Sequence, residues 1–546
     1  MESQARLRGD LIVSRTPLFT LLRRSLKLAE HANRTGEDAA GAIERWRESS
    51  ILSRRAFVAG SSATVAGLAI GCARGPQAPG PTAAVRGRAP DVDPVVVVGA
   101  GIAGLTCAYR LRQAGLPVRV MEAQTRTGGR MFSLRDQFAD GQVCELGGEL
   151  IDTGHTHIRD LAGELGIALN DLATDDNRLD DTVWFIDGAR RTEADVVREF
   201  QPLAERILAT LRPFGSDLDA TAADPRGLEA LDRMTIAAWL DREGVRGWFR
   251  TLLDVAYTTE YGLEPDQQSA LNFLLMIDPK APPFRVFGES DERFHVRGGN
   301  DHIVRTLATR VSDFIETTTV LESIAARADG RFTLTFRRDA GTRTVIARHV
   351  VLAVPFTLLR TVSIDVPMPA AKRRAINELG YGTNAKLMIG FSSRPWREQH
   401  RSNGSVVTDL PFQLVWETSR LQQGRAGILT NFSGGRHGVA VGQGTAAEQA
   451  AALVRDLERV FPGVAAARAG MTEARFHWPS NPWVRGSYAS YLPGQRTAFR
   501  GLEGESVGTL HFAGEHCSLD AQGFMEGGCE TGMAAAKRIV AALVPA

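Results

Sequence analysis

Val95-Val96-Val97-Val98-Gly99-Ala100-Gly101-Ile102-Ala103-Gly104 is the stretch that decides the fold of this 546-residue chain. Four β-branched residues in a row predict a strand buried on both faces, as strands of a parallel sheet are. The run enters the glycine turn directly, and Leu105, Ala108, Tyr109 and Leu111 then follow a helical pattern as far as Gly115. Pro117-Val118-Arg119-Val120-Met121 predicts a second strand, closed by Glu122. Strand, GxGxxG turn, helix, strand and acid in this order form a dinucleotide-binding unit. Gly99, Gly101 and Gly104, with Ala103 among them, permit a tight turn and close backbone approach, and the helix N-terminus faces a pyrophosphate. Glu122, 18 residues after Gly104, is placed to accept from ribose hydroxyls. The predicted class is α/β.

Composition bounds the rest. With 64 Lys+Arg against 63 Asp+Glu the net charge is +1, which gives no electrostatic case for a nucleic-acid partner. Apolar residues at 43% and charged residues at 23% are ordinary globular values, and the length suits several domains. The five cysteines (72, 107, 144, 517, 529) show no CxxC or Cys/His ligand spacing, and His155 and His157 have no third ligand in view, so no metal is expected.

Immediately after Glu122 comes Ala123-Gln124-Thr125-Arg126-Thr127-Gly128-Gly129-Arg130. Two glycines flanked by Arg126 and Arg130 predict a second phosphate-facing loop, a feature nicotinamide enzymes do not usually carry. Here the chain resembles the flavin-containing amine oxidase family of monoamine, polyamine and L-amino-acid oxidases. Further segments resemble that family in order: Glu145-Leu146-Gly147-Gly148-Glu149-Leu150-Ile151, Val320 in its strand, Ala353-Val354-Pro355, Lys386 with Phe391 and Trp396, Trp478 with Gly486-Ser487-Tyr488, His511 to His516, and Gly523-Phe524-Met525-Glu526-Gly527. The resemblance covers about residues 94 to 546.

It implies bound FAD. Gly147, Gly148, Glu149 and Trp478 would run beside the flavin, and the Val320 backbone would meet the adenine. Gly514 and Glu515 would serve the ribityl or ribose hydroxyls. The N–H groups of Met525 and Glu526, at the positive end of the terminal helix, would face the flavin pyrimidine carbonyl. Tyr488 and Phe524 match the two aromatics that flank the amine, and Lys386 matches a lysine that holds a water near the flavin. Ser487 falls where covalently flavinylated members carry Cys, which implies non-covalent FAD. Leu150 stands where amino-acid-oxidising members carry an Arg for the substrate carboxylate. Glu149 and Asp152 are candidate partners for a distal ammonium, or a solvated acidic turn.

The resemblance also implies architecture: an FAD-binding Rossmann-like domain assembled discontinuously from 94–175, 292–355 and 480–546, and an α+β substrate-binding domain from 176–291 and 356–479. The expected reaction is oxidative deamination of a primary or secondary amine, with O2 reduced to hydrogen peroxide. An L-amino-acid oxidase, a desaturase or protoporphyrinogen-type oxidation, and a non-catalytic FAD-binding protein are the alternatives.

The N-terminus reads differently. Eleven Lys/Arg in the first 55 residues, then Arg54-Arg55, the small and apolar run Val58 to Ile70, and Gly71-Cys72 resemble a twin-arginine export signal, expected over residues 1–72. Ala69-Ile70-Gly71-Cys72 is similar to a lipoprotein cleavage box, which would anchor a lipid at Cys72. Upstream, Leu18, Leu21, Leu22, Leu26 and Ala29 share a helical face beside Arg23, Arg24 and Lys27, the pattern of a basic amphipathic helix on a membrane surface. Four Pro and three Gly between Ala73 and Asp93 make a linker.

Overall fold

The computed structural model describes residues 17–46, 93–176, 178–180, 182–215, 217–275, 291–339, 341–468 and 470–544. The Arg54-Arg55 pair, the apolar run after it, Cys72 and the linker as far as residue 92 lie outside these residues.

Val95–Val98 forms the central strand of a five-stranded parallel sheet, between Val118–Met121 and Val350–Leu352, with Ile315–Glu316 and Leu510–Phe512 at the edges. Alternate valines serve alternate faces, as strand geometry requires. Val95 and Val97 pack with Leu105 and Leu111 of the helix Ile102–Gln113 and with Ala535 and Ile539 of the helix Met525–Leu543. Val96 and Val98 pack on the other side with Leu334, Phe336, Phe356 and Phe512. That second layer is a four-stranded sheet: an antiparallel meander of Thr319–Ala326, Phe332–Arg338 and Gly341–Ala347, extended in parallel by Ser363–Asp365. Ser363–Asp365 lies beyond residue 355, so this half of the molecule takes more chain than the expected boundary allows.

A second body is built on a seven-stranded mixed sheet ordered Glu473–His477, Ala385–Phe391, Gly427–Ser433, Leu414–Glu417, Val406–Thr408, Val183–Ile186, Ala189–Arg191. Every residue of Ala385–Phe391 is buried, and its second residue, Lys386, reaches the other half. Helices Glu193–Leu211, Ile236–Arg242 and Gly247–Tyr261 form a helical wall beside this sheet.

The helix Pro17–Thr35 corrects one expectation. Leu22, Leu26 and Ala29 face inward and share one core with Phe200, Leu203 and Ile207 of the helical wall. The apolar face is therefore covered by protein rather than presented to a membrane surface. Among the described residues no helix is long and apolar enough to cross a membrane.

Candidate active site

One cavity of about 650 Å3 runs from the glycine turn to the wall of the seven-stranded sheet. At the turn, Gly99 has φ +101°, and a Cβ there would lie 2.6 Å from the Ala353 carbonyl oxygen. A Cβ on Gly104 would lie 1.9 Å from the Gly99 carbonyl oxygen, so Gly104 seats helix on strand and does not itself line the cavity. At Gly101 a Cβ would meet nothing nearer than the Gly129 Cα at 4.0 Å, leaving the cradle between the two glycine loops open. The helices Ile102–Gln113 and Met525–Leu543 both begin without a side-chain cap, and Ile102, Ala103, Met525 and Gly528 all line the cavity. Two sets of N–H groups without a side-chain cap and two positive helix ends thus converge on one space. The open cradle and this donor set fit a dinucleotide, whose diphosphate residues 101–103 would hold.

Most of the other cofactor candidates line the same cavity: Glu122, Ala123, Gly129, Arg130, Gly147, Gly148, Glu149, Val320, Trp478, Gly514 and Glu515. Trp478 Nε1 donates to the Leu146 carbonyl at 2.9 Å and fixes the segment that passes it. The Glu122 carboxylate accepts from Ala100 N at 2.7 Å and Gln124 N at 2.8 Å, holding the two loops together; burial raises its pKa. Glu515 accepts from Gly523 N at 2.8 Å and from Arg130 at 2.7 Å.

One side chain departs from expectation. Arg126 turns back on its own loop, donating to Thr127 O and Gly129 O with its guanidinium 4.0 Å from the Phe132 ring centroid, so it braces the loop instead of facing a phosphate. The Glu526 carboxylate accepts from His157 N at 2.9 Å and Ile158 N at 2.8 Å. It caps the helix Thr156–Glu164, and only its backbone belongs to the uncapped terminus.

At the far end Lys386 is buried, and its Nζ donates to Gly147 O at 2.8 Å, Glu145 O at 3.3 Å and Glu149 Oε2 at 2.7 Å. Three donors meet three protein oxygens, where the resemblance has this lysine holding a water. Trp416 Nε1 (2.9 Å) and the Thr418 hydroxyl complete Glu149. Burial alone would raise the Glu149 carboxyl, yet Lys386 draws it below its ordinary value. Tyr488 lines the cavity with its hydroxyl donating to Glu260 O at 2.7 Å. Phe524 also lines it, backed by the His155 ring at 4.9 Å between centroids. Burial lowers the pKa of His155 to about 4, so that ring is neutral.

The sequence reading did not single out Trp416, Phe432 or Glu292, which line this end too. Glu292 sits at φ +45°, and burial raises its carboxyl well above the usual range, with Asp152, Glu260, Glu149 and Asp291 adding to the effect. Nothing local marks these residues, because they reach the cavity through tertiary contacts.

Residues 102–540 match the family of flavin containing amine oxidoreductases. The chain belongs to that family. This flavin amine oxidoreductase is an enzyme that uses FAD, and it shares the family's mixed α/β fold. An L-amino acid dehydrogenase of Synechocystis is 26% identical over 82% of this chain and 95% of its own length. A flavin-containing amine oxidase of Danio rerio is 24% identical over 82% and 86%. In fold, it resembles cyclohexylamine oxidase from Brevibacterium oxydans (TM-score 0.71, 23% identity, 83% and 100% covered) and putrescine oxidase (TM-score 0.69, 24% identity, 82% and 99% covered).

Proposed function

We propose that the enzyme carries out oxidative deamination of a primary or secondary amine that lacks an α-carboxylate, using non-covalent FAD and O2. One observation carries the substrate class. Four cations stand among the described residues lining the cavity: Arg130, Arg337, Lys386 and Arg485. Lys386 is matched by Glu149, Arg130 by Glu515, and Arg337 and Arg485 are exposed. Asp152, Glu149 and Glu292 line the same end. A substrate carboxylate would meet carboxyls there, and Leu150 offers it no fork.

Bound FAD supplies a two-electron acceptor for the amine. The chain supplies the setting. Tyr488, held by Glu260 O, and Phe524, held by His155, exclude water and orient an uncharged nitrogen. The carboxyls at that end disfavour a substrate carboxylate, and an amine deprotonated in the aromatic cage needs no side-chain general base. Amine, O2 and water give aldehyde or ketone, ammonia or a shorter amine, and hydrogen peroxide. Ser487, whose hydroxyl donates to Asn384 Oδ1 at 2.7 Å, has no thiol to bond the ring, so acid precipitation should release all the flavin into the supernatant.

The test is anaerobic titration of the purified protein with monoamines, diamines and L-amino acids, following flavin absorbance. Bleaching by amines, with peroxide formed on readmitting air, is expected. Bleaching by amino acids alone would overturn the reading of Leu150 and favour the activity of the L-amino acid dehydrogenase relative.

A further inference from the structure

The helices at 17–35 and 39–46 precede the matched family region, yet they are built into the enzyme. Leu22, Leu26, Leu28, Ala29 and Ala32 of the first, and Ile43 of the second, are buried in one core with the helical wall. The wall's side of that contact is itself apolar: Phe200, Leu203, Ile207, Phe249 and Leu252. Polar contacts set the register. Arg24 pairs with Glu193, Asn33 Nδ2 donates to Gln201 O at 2.7 Å, and the Arg24 guanidinium lies 4.8 Å from the Trp46 ring centroid. One arginine therefore ties the second helix and the body to the first. Without this layer the body would expose a contiguous patch of large apolar side chains, which soluble proteins avoid.

We infer that residues 17–46 are a permanent part of the catalytic body and not part of a leader lost on processing. They are the outer layer of the helical wall. The layer backs the helix Gly247–Tyr261, whose last turn receives the Asn384 amide on Thr259 O (2.8 Å) and the Tyr488 hydroxyl on Glu260 O (2.7 Å). If Arg54-Arg55 acts in export, it does so from inside a chain whose residues 17–46 are already folded onto the body.

Two measurements on the full-length, flavin-loaded protein test this. The first places a protease site in the Pro/Gly-rich stretch at 73–93 and cuts it. The N-terminal fragment should co-elute with the yellow body on size exclusion and part from it only in denaturant. A body that elutes alone with an unchanged melting midpoint would overturn the inference and return residues 1–72 to the role of leader. The second is Leu26→Asp, which puts a charge into the shared core. It should lower the midpoint by roughly 5 °C or more, with Leu26→Met restoring most of the loss. An unchanged midpoint in Leu26→Asp counts against the inference. Neither readout depends on which substrate the enzyme oxidises.

Discussion

Lys386 crosses from the seven-stranded sheet to the segment of Gly147 and Gly148, and its three donors hold the carbonyls of Glu145 and Gly147 and the Glu149 carboxylate in place. Replacing it with Met strands Glu149 as a buried charge, and breaking such a pair costs about 3–5 kcal/mol. Lys386→Met should therefore melt earlier and slow flavin reduction or reoxidation while flavin stays bound. The double variant Lys386→Met with Glu149→Gln should regain much of the midpoint, since no unpaired charge remains, but not the rate. Stopped-flow half-reactions with parallel melts separate the two effects; unchanged rates in both half-reactions would remove Lys386 from the chemistry. The same scale shows what a sequence can reveal. Gly99, Gly101 and Gly104 were legible because their turn is local. Arg126 misled because a charge near a glycine loop reads as a ligand for the cofactor, whereas it is used by its own loop; the cap that the Glu526 carboxylate places on a distant helix terminus gave no local signal. Glu292 and Trp416 gave no signal, since only tertiary packing brings them to the cavity.

Helix on helix, the cofactor end depends on two glycines. A Cβ on Gly532 would lie 2.3 Å from the Ala103 carbonyl oxygen, and one on Gly528 would lie 2.7 Å from Ile102 Cγ2. The close approach sets both uncapped N-termini on the same cavity. Gly532→Ala forces the helices apart and should cost roughly 1–3 kcal/mol, with a lower flavin-to-protein absorbance ratio after dialysis. Gly163, in the helix Thr156–Glu164, has nothing within 4 Å of a built Cβ. Gly163→Ala should leave the ratio unchanged and stabilise slightly, by about 0.5–1 kcal/mol; an equal loss in both variants would show that crowding at Ala103 is not the cause. Elements beside the glycine turn were legible here, the strand Val95–Val98 from its β-branched run and the helix Ile102–Gln113 from its period. The helix Pro17–Thr35 was legible as well, but not its partner: periodicity shows that a face is apolar and is silent on what covers it.

At the scale of the molecule, three histidines are folded in neutral form: burial lowers the pKa of His155 and His511 to about 4 and of His516 to about 3. Each titrates near 6.5 in an unfolded chain. Below that pH the unfolded chain binds protons that the folded one refuses, so these groups withdraw stability as pH falls from 6.5 toward 4. Glu503 acts in the opposite sense. Burial raises it to about 7, so the folded protein keeps a proton the unfolded chain sheds above 4.5, and stability falls as pH rises through that window. The overall profile mixes the two signs, and a variant isolates one of them. His516 packs on Phe356 at 4.4 Å between ring centroids, and neither ring nitrogen has a hydrogen-bond partner among the described residues; Glu515 pulls its pKa up while Arg130 and Lys372 push it down. His516→Phe keeps the ring and removes the titration. Melts of the flavin-loaded proteins should show nearly equal midpoints at pH 8 and a variant more stable by about 2 kcal/mol at pH 5. A difference that does not change with pH would mean that His516 takes up its proton inside the fold, and that the space between Phe356 and Glu515 admits water.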